Sequence, residues 1–308
     1  RLAPSAWRAA SAALADGPVL VQVPRHGYLP ALSCQDCRQR VRCPRCQGPV
    51  TLPSAGATAL CRWCALALPV DRFQCPHCQG RRIRSAVVGS ARTAEELGRA
   101  FPGVRVLTSS AGSVLETVGA EPTLVVATPG AEPVADGGYA ACLLLDAWAL
   151  LDRADLDAPV EALRRWMTAA ALVRPGAAGG VVVLVGVPEG VHVPAVDALV
   201  RWAPEWLAGR ELDERQTLTL PPTVLFVQAT GDRHAVAEVA AQARAVDAAV
   251  TILGPLPVTG TDQVRVIIRA PLPLAAVLAD TLVAARAVRS ARKEPGALTV
   301  RLWDRVSG

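Results

Sequence analysis

The chain is almost without lysine and has few aromatic residues. Lys293 is the only lysine among 32 basic residues, and aromatic residues make up 4% of the 308 positions. A phosphate-binding loop of the Walker A type needs Gly-Lys-Ser/Thr, whereas Lys293 lies in Arg-Lys-Glu. The near-absence of lysine therefore excludes a complete ATPase of that class within these residues.

Long apolar runs and a signal peptide are also missing. No uncharged apolar stretch reaches the ~20 residues of a membrane-spanning helix, and the first residues do not have the pattern of a secretory leader. We therefore expect no membrane association. Arg1 stands where an initiator methionine is expected, so we expect a fragment or a trimmed chain with a further region upstream. Cysteines spaced for metal binding and the single unpaired Cys142, in an apolar run, favour a reducing, cytoplasmic location.

The other eight cysteines lie close together and in pairs. A Cys-x-x-Cys pair supplies half of the thiolates of a tetrahedral zinc site, so four pairs predict two structural zinc ions. A redox motif needs one pair, and disulfide frameworks rarely space cysteines so regularly. The pairs are Cys34/Cys37, Cys43/Cys46, Cys61/Cys64 and Cys75/Cys78.

The spacing of the pairs favours a nested arrangement of the two sites. Only residues 38–42 separate the first two pairs, which is too short for a ribbon hairpin, whereas fourteen residues separate the second pair from the third. Spacing alone leaves sequential pairing open, and His77, inside the last pair, is expected to be exposed rather than a ligand. The nested arrangement has an inner site of Cys43, Cys46, Cys61 and Cys64 and an outer site of Cys34, Cys37, Cys75 and Cys78.

Two stretches are strongly basic. Nine arginines near the cysteines face two aspartates, and about +3 remains once eight thiolates and two zinc ions are counted. Such a surface suits a phosphate backbone or an acidic partner, with a merely solvated face as the alternative. The candidate contacts are Arg38, Arg40, Arg81 and Arg82, expected together on one exposed surface, and Arg286 and Arg289 on the last predicted helix.

Alternating apolar runs and helical patterns predict an α/β fold with a parallel sheet. Strands are predicted at 18–23, 85–88, 104–107, 123–127, 141–145 and 180–186, and helices at 4–15, 92–100, 159–173 and 194–208. From Pro221 the pattern changes to βαββαβ, with strands at 223–229, 250–254, 263–269 and 297–303 and helices at 233–247 and 273–290.

A polar link at 209–219 is the predicted boundary between these two patterns. We therefore expect an α/β domain (1–33 and 80–210), an inserted two-zinc module (34–79) and a C-terminal α+β domain (211–308).

Several motifs resemble one known family. Residues 25–32, Arg-His-Gly-Tyr-Leu-Pro-Ala-Leu, lead into the cysteine pairs, and Phe-Pro-Gly-Val at 101–104, Leu-Pro-Pro at 220–222 and Leu-Gly-Pro-Leu-Pro at 253–257 follow. Together they resemble PriA (primosomal protein N′), a family of bacterial replication-restart DNA helicases. The resemblance covers nearly the whole chain. It implies a second helicase lobe, its cysteine-rich insertion with nested zinc pairing, and a C-terminal domain.

Two motifs of the resembled family are altered here. Its Thr-Gln followed by Ala-Lys-Gly corresponds to Thr-Pro-Gly-Ala-Glu-Pro at 128–133. Its Gln-x-x-Gly-Arg-Ala-Gly-Arg falls on 168–175, where Leu172 and Pro175 occupy the arginine positions and only a displaced Arg174 remains. Such arginines accelerate phosphoryl transfer on the order of 10³-fold or more, so their loss, together with that of the lysine, should remove ATP-driven unwinding. The chain in this respect resembles the helicase-degenerate form of the family found in actinobacteria. ATP is not expected to bind this fragment.

The resemblance implies a replication-restart protein that recognises forked or branched DNA and assembles the primosome without helicase activity of its own. Its implied partners are forked or single-stranded DNA, single-stranded-DNA-binding protein and other primosome components. One alternative is an ATP-dependent 3′-5′ DNA helicase whose motor motifs lie upstream of this fragment. Another is a zinc-ribbon scaffold in transcription or translation.

Overall fold

A parallel sheet and an antiparallel sheet, in separate parts of the chain, organise the fold. The computed structural model describes residues 2–24, 31–37, 39–52, 58–86, 90–153, 155–187, 192–258 and 261–302. The chain divides into two units, Arg1–Pro204 and Glu205–Gly308. Within the described ranges, no helix combines the length and the apolar character that crossing a membrane requires.

Short strands and helices alternate along the first unit. Its described strands are β1 (Val19–Gln22), β2 (Ala31–Cys34), β3 (Val50–Thr51), β4 (Ala59–Cys61), β5 (Ala67–Leu68), β6 (Ile83–Ala86), β7 (Arg105–Ser109), β8 (Thr117–Val118), β9 (Thr123–Ala127), β10 (Val134–Ala135), β11 (Ala141–Leu144) and β12 (Val181–Leu184). Its helices are α1 (Pro4–Ala13), α2 (Ser90–Ala100), α3 (Ala147–Leu151), α4 (Ala158–Ala170) and α5 (Pro194–Arg201).

The parallel sheet of this unit has the strand order β12-β11-β1-β9-β7. All four neighbouring pairs are parallel. Every residue of β1, β9 and β11 is buried, as expected for central strands covered by helices on both faces. On one face, apolar side chains of α1 and α2 join those of the strands in a common core.

The cysteine-rich stretch forms a small sheet of its own between β1 and α2. Its strands lie in the order β5-β4-β3-β2-β6 and all pair antiparallel. Strand β2 enters the module and β6 leaves it, and Cys34 of β2 lies opposite Ile83 of β6. The chain therefore enters and leaves the module side by side, as in an insertion between two elements of an α/β fold.

The second unit contains the predicted βαββαβ order. Its elements are β13 (Val224–Gly231), α7 (Arg233–Arg244), β14 (Thr251–Pro257), β15 (Val264–Pro271), α8 (Ala275–Ala291) and β16 (Leu298–Leu302). The antiparallel sheet has the order β14-β15-β13-β16, and α7 and α8 pack against one of its faces.

The predicted polar link at 209–219 is wrong. A helix, α6 (Pro204–Thr217), occupies most of it. Two ion pairs at i,i+4, Arg210–Glu214 and Glu211–Arg215, support this polar helix. The predicted helix at 194–208 is likewise divided, because α5 ends at Arg201 and Trp202 adopts a left-handed conformation.

The mixed α/β class with a parallel sheet is confirmed. The identification of that sheet with a helicase lobe and the division into three domains stay predictions. Sequence patterns missed the short pair β8 and β10 and the five-residue helix α3, because each is too short to show a periodicity.

Candidate metal centres and basic surfaces

The structure brings the eight paired cysteines together as two groups of four. In each group the sulfur atoms all lie within 4.8 Å of one another. The outer group is Cys34, Cys37, Cys75 and Cys78, and the inner group is Cys43, Cys46, Cys61 and Cys64. This is the nested grouping, and His77 is exposed and belongs to neither group.

Local backbone turns aim the sulfur atoms inward. In three of the pairs, the residue after the second cysteine has a positive φ, at Gln47, Ala65 and Gln79. Its backbone N–H donates to the carbonyl of the first cysteine over 2.9–3.0 Å. A Cys-x-x-Cys sequence closed in this way places both sulfur atoms on the inside of one turn.

The sulfur geometry fits a tetrahedral metal ion. Across the outer group the Sγ–Sγ distances are 3.5 Å for Cys34–Cys78 and 3.6 Å for Cys37–Cys75. Across the inner group the two corresponding distances are 3.7 and 3.4 Å. Four sulfur atoms at ~2.3 Å from a zinc ion lie about 3.8 Å apart. Both groups could therefore hold a metal ion, and four thiolates leave no open position for a substrate.

Backbone donors favour the thiolate form of one cysteine in each group. At Cys75, backbone N–H groups, that of Cys78 first, lower the pKa to about 7. At Cys43, burial opposes ionisation, but N–H groups including that of Cys46 outweigh it and lower the pKa to about 7. Because the thiolate is the form that binds metal, each group contains a sulfur close to ionisation at neutral pH.

An arginine of the module is tied to the parallel-sheet part of the same unit. The Arg40 guanidinium carbon lies 3.2 Å from the ring centre of Trp148, and its Nη1 lies 3.1 Å from Asp152 Oδ2. Arg42 Nη1 reaches the other carboxylate oxygen of Asp152 at 2.9 Å. Burial lowers the pKa of Arg40 to about 10, so the side chain stays charged at neutral pH.

These contacts correct the prediction that Arg40 is exposed. A stacked and ion-paired guanidinium that is largely shielded from water is placed to hold the module rather than to meet a ligand. Asp152 and Trp148 were missed as functional residues. The only sequence signal was their position just after the buried run at 141–145.

Of the other predicted contacts near the cysteines, Arg38 lies outside the described residues. Arg81 and Arg82 are both exposed, at the exit from the outer cysteine group. Arg82 pairs with Asp36 over 2.9 Å, and both of these side chains are open to water. An exposed pair of this kind contributes ~0–1 kcal/mol, so Arg82 is readily available to another anion.

The two arginines predicted on the last helix differ from each other. Arg286 is exposed on α8. Arg289, also expected as a contact, is largely buried and bonds to Glu238 and, at 2.9 Å, to Glu294. The prediction of Arg289 as an exposed basic contact is therefore wrong, because two carboxylates already neutralise its charge.

The altered family motifs lie at opposite edges of the parallel sheet. At the carboxyl edge, Gln22 Nε2 donates to Glu132 Oε1 over 2.7 Å, and the Gly130 N–H donates to Glu132 Oε2 over 2.8 Å. At the amino edge, Arg174 Nη2 donates to the carbonyl oxygen of Asp16, just before β1, over 2.9 Å. In open parallel sheets ligands bind at the carboxyl edge, and Arg174 lies at the opposite edge.

Comparison with known proteins identifies a family for the last part of the chain and relatives for most of it. Residues 216–302 match the primosomal protein N C-terminal domain. The chain is 50% identical over 248 residues to the probable replication restart protein PriA of Mycobacterium tuberculosis strain CDC 1551 / Oshkosh, covering 80% of this chain and 37% of that protein. It is 51% identical over 258 residues to the probable PriA of Mycobacterium leprae, covering 83% and 39%.

A more distant match comes from another bacterium. The chain is 32% identical over 83 residues to the replication restart protein PriA of Bacillus subtilis, covering 27% of this chain and 10% of that protein. The chain spans less than two fifths of the length of its mycobacterial relatives. The predicted resemblance is confirmed: the chain is similar to the PriA replication restart proteins over four fifths of its length, and its residues 216–302 match the primosomal protein N C-terminal domain.

Proposed function

We propose that the chain is a DNA-binding portion of a replication-restart protein that recognises forked or branched DNA and helps to assemble the primosome. The observation that carries this proposal is the 50% identity, over 80% of the chain, to a relative named as a probable replication restart protein. Single-stranded-DNA-binding protein and other primosome components are the proposed protein partners, and the cytoplasm is the proposed location.

The two cysteine groups are proposed to hold one structural zinc ion each. A closed set of four thiolates selects zinc or an iron–sulfur centre over harder ions. Each ion would supply rigidity by joining two Cys-x-x-Cys turns that are distant in sequence. The module would then present its exposed arginines from a fixed frame beside the parallel sheet.

The same unit is proposed to lack ATP-driven helicase activity. The loop after β9 carries Glu132 where the resembled family has a lysine-containing motif, and both of its carboxylate oxygens are engaged. A carboxylate at that edge of the sheet repels phosphate groups rather than binding them. Arg174, the one arginine left from the second motif, is bonded at the opposite edge.

Arg81 and Arg82 are the proposed contacts of the module with the DNA backbone. Both are exposed, and the single acidic partner among the described residues, Asp36, pairs with Arg82 in open solvent. The planar guanidinium group of arginine can donate two hydrogen bonds at once to the oxygens of one phosphate. Contacts of this kind set the position of a protein on DNA without reading its sequence.

Fork binding by the variant Arg81→Ala/Arg82→Ala tests this proposal. We expect affinity for a labelled three-way fork to fall about tenfold at low salt, and each lost phosphate contact to remove about one unit from the slope of log K against log salt. The matched control is Arg99→Ala/Arg105→Ala, which removes two exposed arginines near the amino edge of the sheet and should bind as the parent chain does.

Metal content and melting temperature should be the same in both variants. Equal fork binding and equal salt slopes in all three proteins would contradict the assignment of Arg81 and Arg82. A chain that binds neither forked nor single-stranded DNA would contradict the proposed function itself.

A further inference from the structure

One face of the antiparallel sheet of the second unit packs against α7 and α8, and the other face is partly exposed, with Phe226 buried at one end of it. Side chains of Val227, Ala229, Val266 and Ile268 point to the helix side and pack with α7 and α8. Because side chains alternate along a strand, the residues between them point to the opposite face. The strand pairings therefore define the residues of this second face, which we call the open face.

Two rows of residues cross the open face from β16 to β14. Residues directly opposite each other in paired strands point to the same side. A hydrogen bond of 3.2 Å from Gln228 to Thr230 joins the two rows. The first row is Thr299, Thr230, Arg265 and Leu256, and the second is Arg301, Gln228, Ile267 and Leu253.

The open face carries positive charge without negative charge. Its strand positions include Arg265, Arg269 and Arg301 and no acidic residue. Arg269 Nε donates to Thr251 Oγ1 over 2.9 Å. Arg265 and Arg301 are exposed, and among the described residues neither makes an ion pair. The acidic residues nearest to these arginines in the sequence are Asp262, in the β14–β15 hairpin, and Asp304, which lies outside the described residues.

Apolar side chains lie between these arginines. Leu253 is 42% exposed and Leu256 is 63% exposed, and Ile267 is half-buried next to them. Leucine side chains this exposed contribute little to the core of the unit. These leucines provide an exposed apolar surface next to the positively charged arginines.

We infer that the open face binds single-stranded nucleic acid. A single strand exposes both its phosphates and the faces of its bases, so it can use arginines and apolar side chains together. A duplex keeps its bases stacked inside and offers such a surface phosphates alone. An acidic peptide would satisfy the charges but would not need the breadth of four strands. This inference deepens the proposed function by naming the second unit's DNA surface and the form of DNA it binds.

The spacing of the two free arginines fits a strand that crosses the sheet diagonally. Arg265 and Arg301 lie two strands apart and one row apart. With ~4.8 Å between strands and ~6.8 Å between rows, their backbones are about 12 Å apart. That separation spans about two nucleotides, so each arginine meets a different phosphate while Ile267 and the leucines contact the bases between them.

The variant Arg265→Ala/Arg301→Ala of the full chain tests this inference by fluorescence anisotropy with a labelled 20-nucleotide single strand of mixed sequence. We expect about a tenfold loss of affinity at low salt, and a decrease of about 1.4 in the slope of log K against log salt, because each single-strand phosphate contact contributes ~0.7. The matched control is Arg233→Ala/Arg244→Ala, which removes two exposed arginines of α7 from the helix side of the same sheet.

A second variant separates the contribution of apolar contacts with the bases from that of the positive charge. Leu253→Ser/Leu256→Ser keeps every arginine, so we expect weaker single-strand binding with an unchanged salt slope. Circular dichroism and melting temperature confirm that each variant is folded. Loss of binding to the single strand should exceed the loss of binding to a 20-base-pair duplex in both variants.

Three outcomes would overturn the inference. The first is an equal loss of single-strand affinity in Arg265→Ala/Arg301→Ala and in the α7 control. The second is a larger loss of affinity for the duplex than for the single strand. The third is a loss of affinity for a labelled acidic decapeptide with no loss of affinity for the single strand. If one of these outcomes is observed and the parent chain still binds forked DNA, the proposed function stands and only the open face is excluded as a binding surface. If the parent chain binds no DNA, both fail together.

Discussion

At the scale of single residues, eight sulfur atoms define the most specific chemistry in the chain. Each group combines two Cys-x-x-Cys turns, so every sulfur atom has a partner in its own turn and two in another. If each group holds a zinc ion as proposed, removing one thiol would leave three ligands and open the coordination shell to water. The binding free energy of a structural zinc ion is folding free energy, so such a change acts on the fold as well as on the metal.

We therefore expect two zinc ions per chain, with one lost in Cys61→Ser, because that change removes a ligand of the inner group only. Inductively coupled plasma mass spectrometry on protein purified under reducing conditions measures the ratio. Cys142→Ser is the control, since Cys142 is buried in β11 away from both groups. A parent chain with one equivalent of zinc or none would contradict the assignment.

The two cysteine groups could be predicted from the sequence because the spacing of the cysteines is itself the signal. Four Cys-x-x-Cys pairs with a hairpin-length separation are enough to indicate two metal sites. The roles of Arg40 and Arg289 could not be predicted in this way. Each of these arginines forms an ion pair with a carboxylate that is distant in sequence, Asp152 for Arg40 and Glu238 for Arg289. A single sequence carries no signal for such pairs.

At the scale of elements, the attachment of the cysteine module depends on one carboxylate of the segment after α3. Asp152 is buried and accepts from two arginines of the module at once. Removing its charge leaves two guanidinium groups, one of them stacked on Trp148, without the carboxylate with which both form ion pairs. The module is thus held at the carboxyl edge of the parallel sheet by polar contacts as well as by the chain connections.

We expect Asp152→Asn to lower the free energy of unfolding of the first unit by about 1–3 kcal/mol, since it leaves partly buried charges unpaired. Urea unfolding followed by tryptophan fluorescence measures the change. Asp36→Asn is the matched control, because its pair with Arg82 is exposed and should contribute less than ~1 kcal/mol. Equal effects of the two substitutions would show that the Asp152 contact does not hold the module.

Helix α6 shows where periodicity misleads at this scale. Its sequence is polar on nearly all sides and only Leu207 is buried, so a hydrophobic pattern indicates a link. Ion pairs between successive turns form it instead. The central strands β1, β9 and β11 were predictable for the opposite reason, because their burial on both faces requires continuous apolar runs.

At the scale of the whole molecule, the chain is expected to bind DNA without hydrolysing ATP. Its single lysine is remote from any glycine-rich loop, and the two altered motifs lack the charges that stabilise phosphoryl transfer. We expect phosphate release in a malachite-green assay to stay at background with and without forked DNA. The variant Lys293→Ala should be indistinguishable from the parent, and DNA-stimulated turnover in either protein would support an active helicase instead.

The βαββαβ order was predictable from the sequence, whereas the open face was not. Alternating burial along β13 and β15 gives the helix side its apolar pattern and so reveals the strands. The charge on the other side becomes a surface only when the register places Arg265 and Arg301 in adjacent rows. That register depends on the pairing of β13 with β15 and β16, which both lie further along the chain.

The nesting of the two cysteine groups also sets an order of events during synthesis. The inner sulfur contacts join residues 15 and 21 positions apart, and the outer contacts join residues 38 and 44 positions apart. The first cysteines to leave the ribosome, Cys34 and Cys37, are therefore the last to find their partners. Each doubling of loop length adds ~0.6 kcal/mol of closure entropy, and a completed inner hairpin shortens the outer loop. If both groups bind metal as proposed, the first ion to bind would prepare the site of the second.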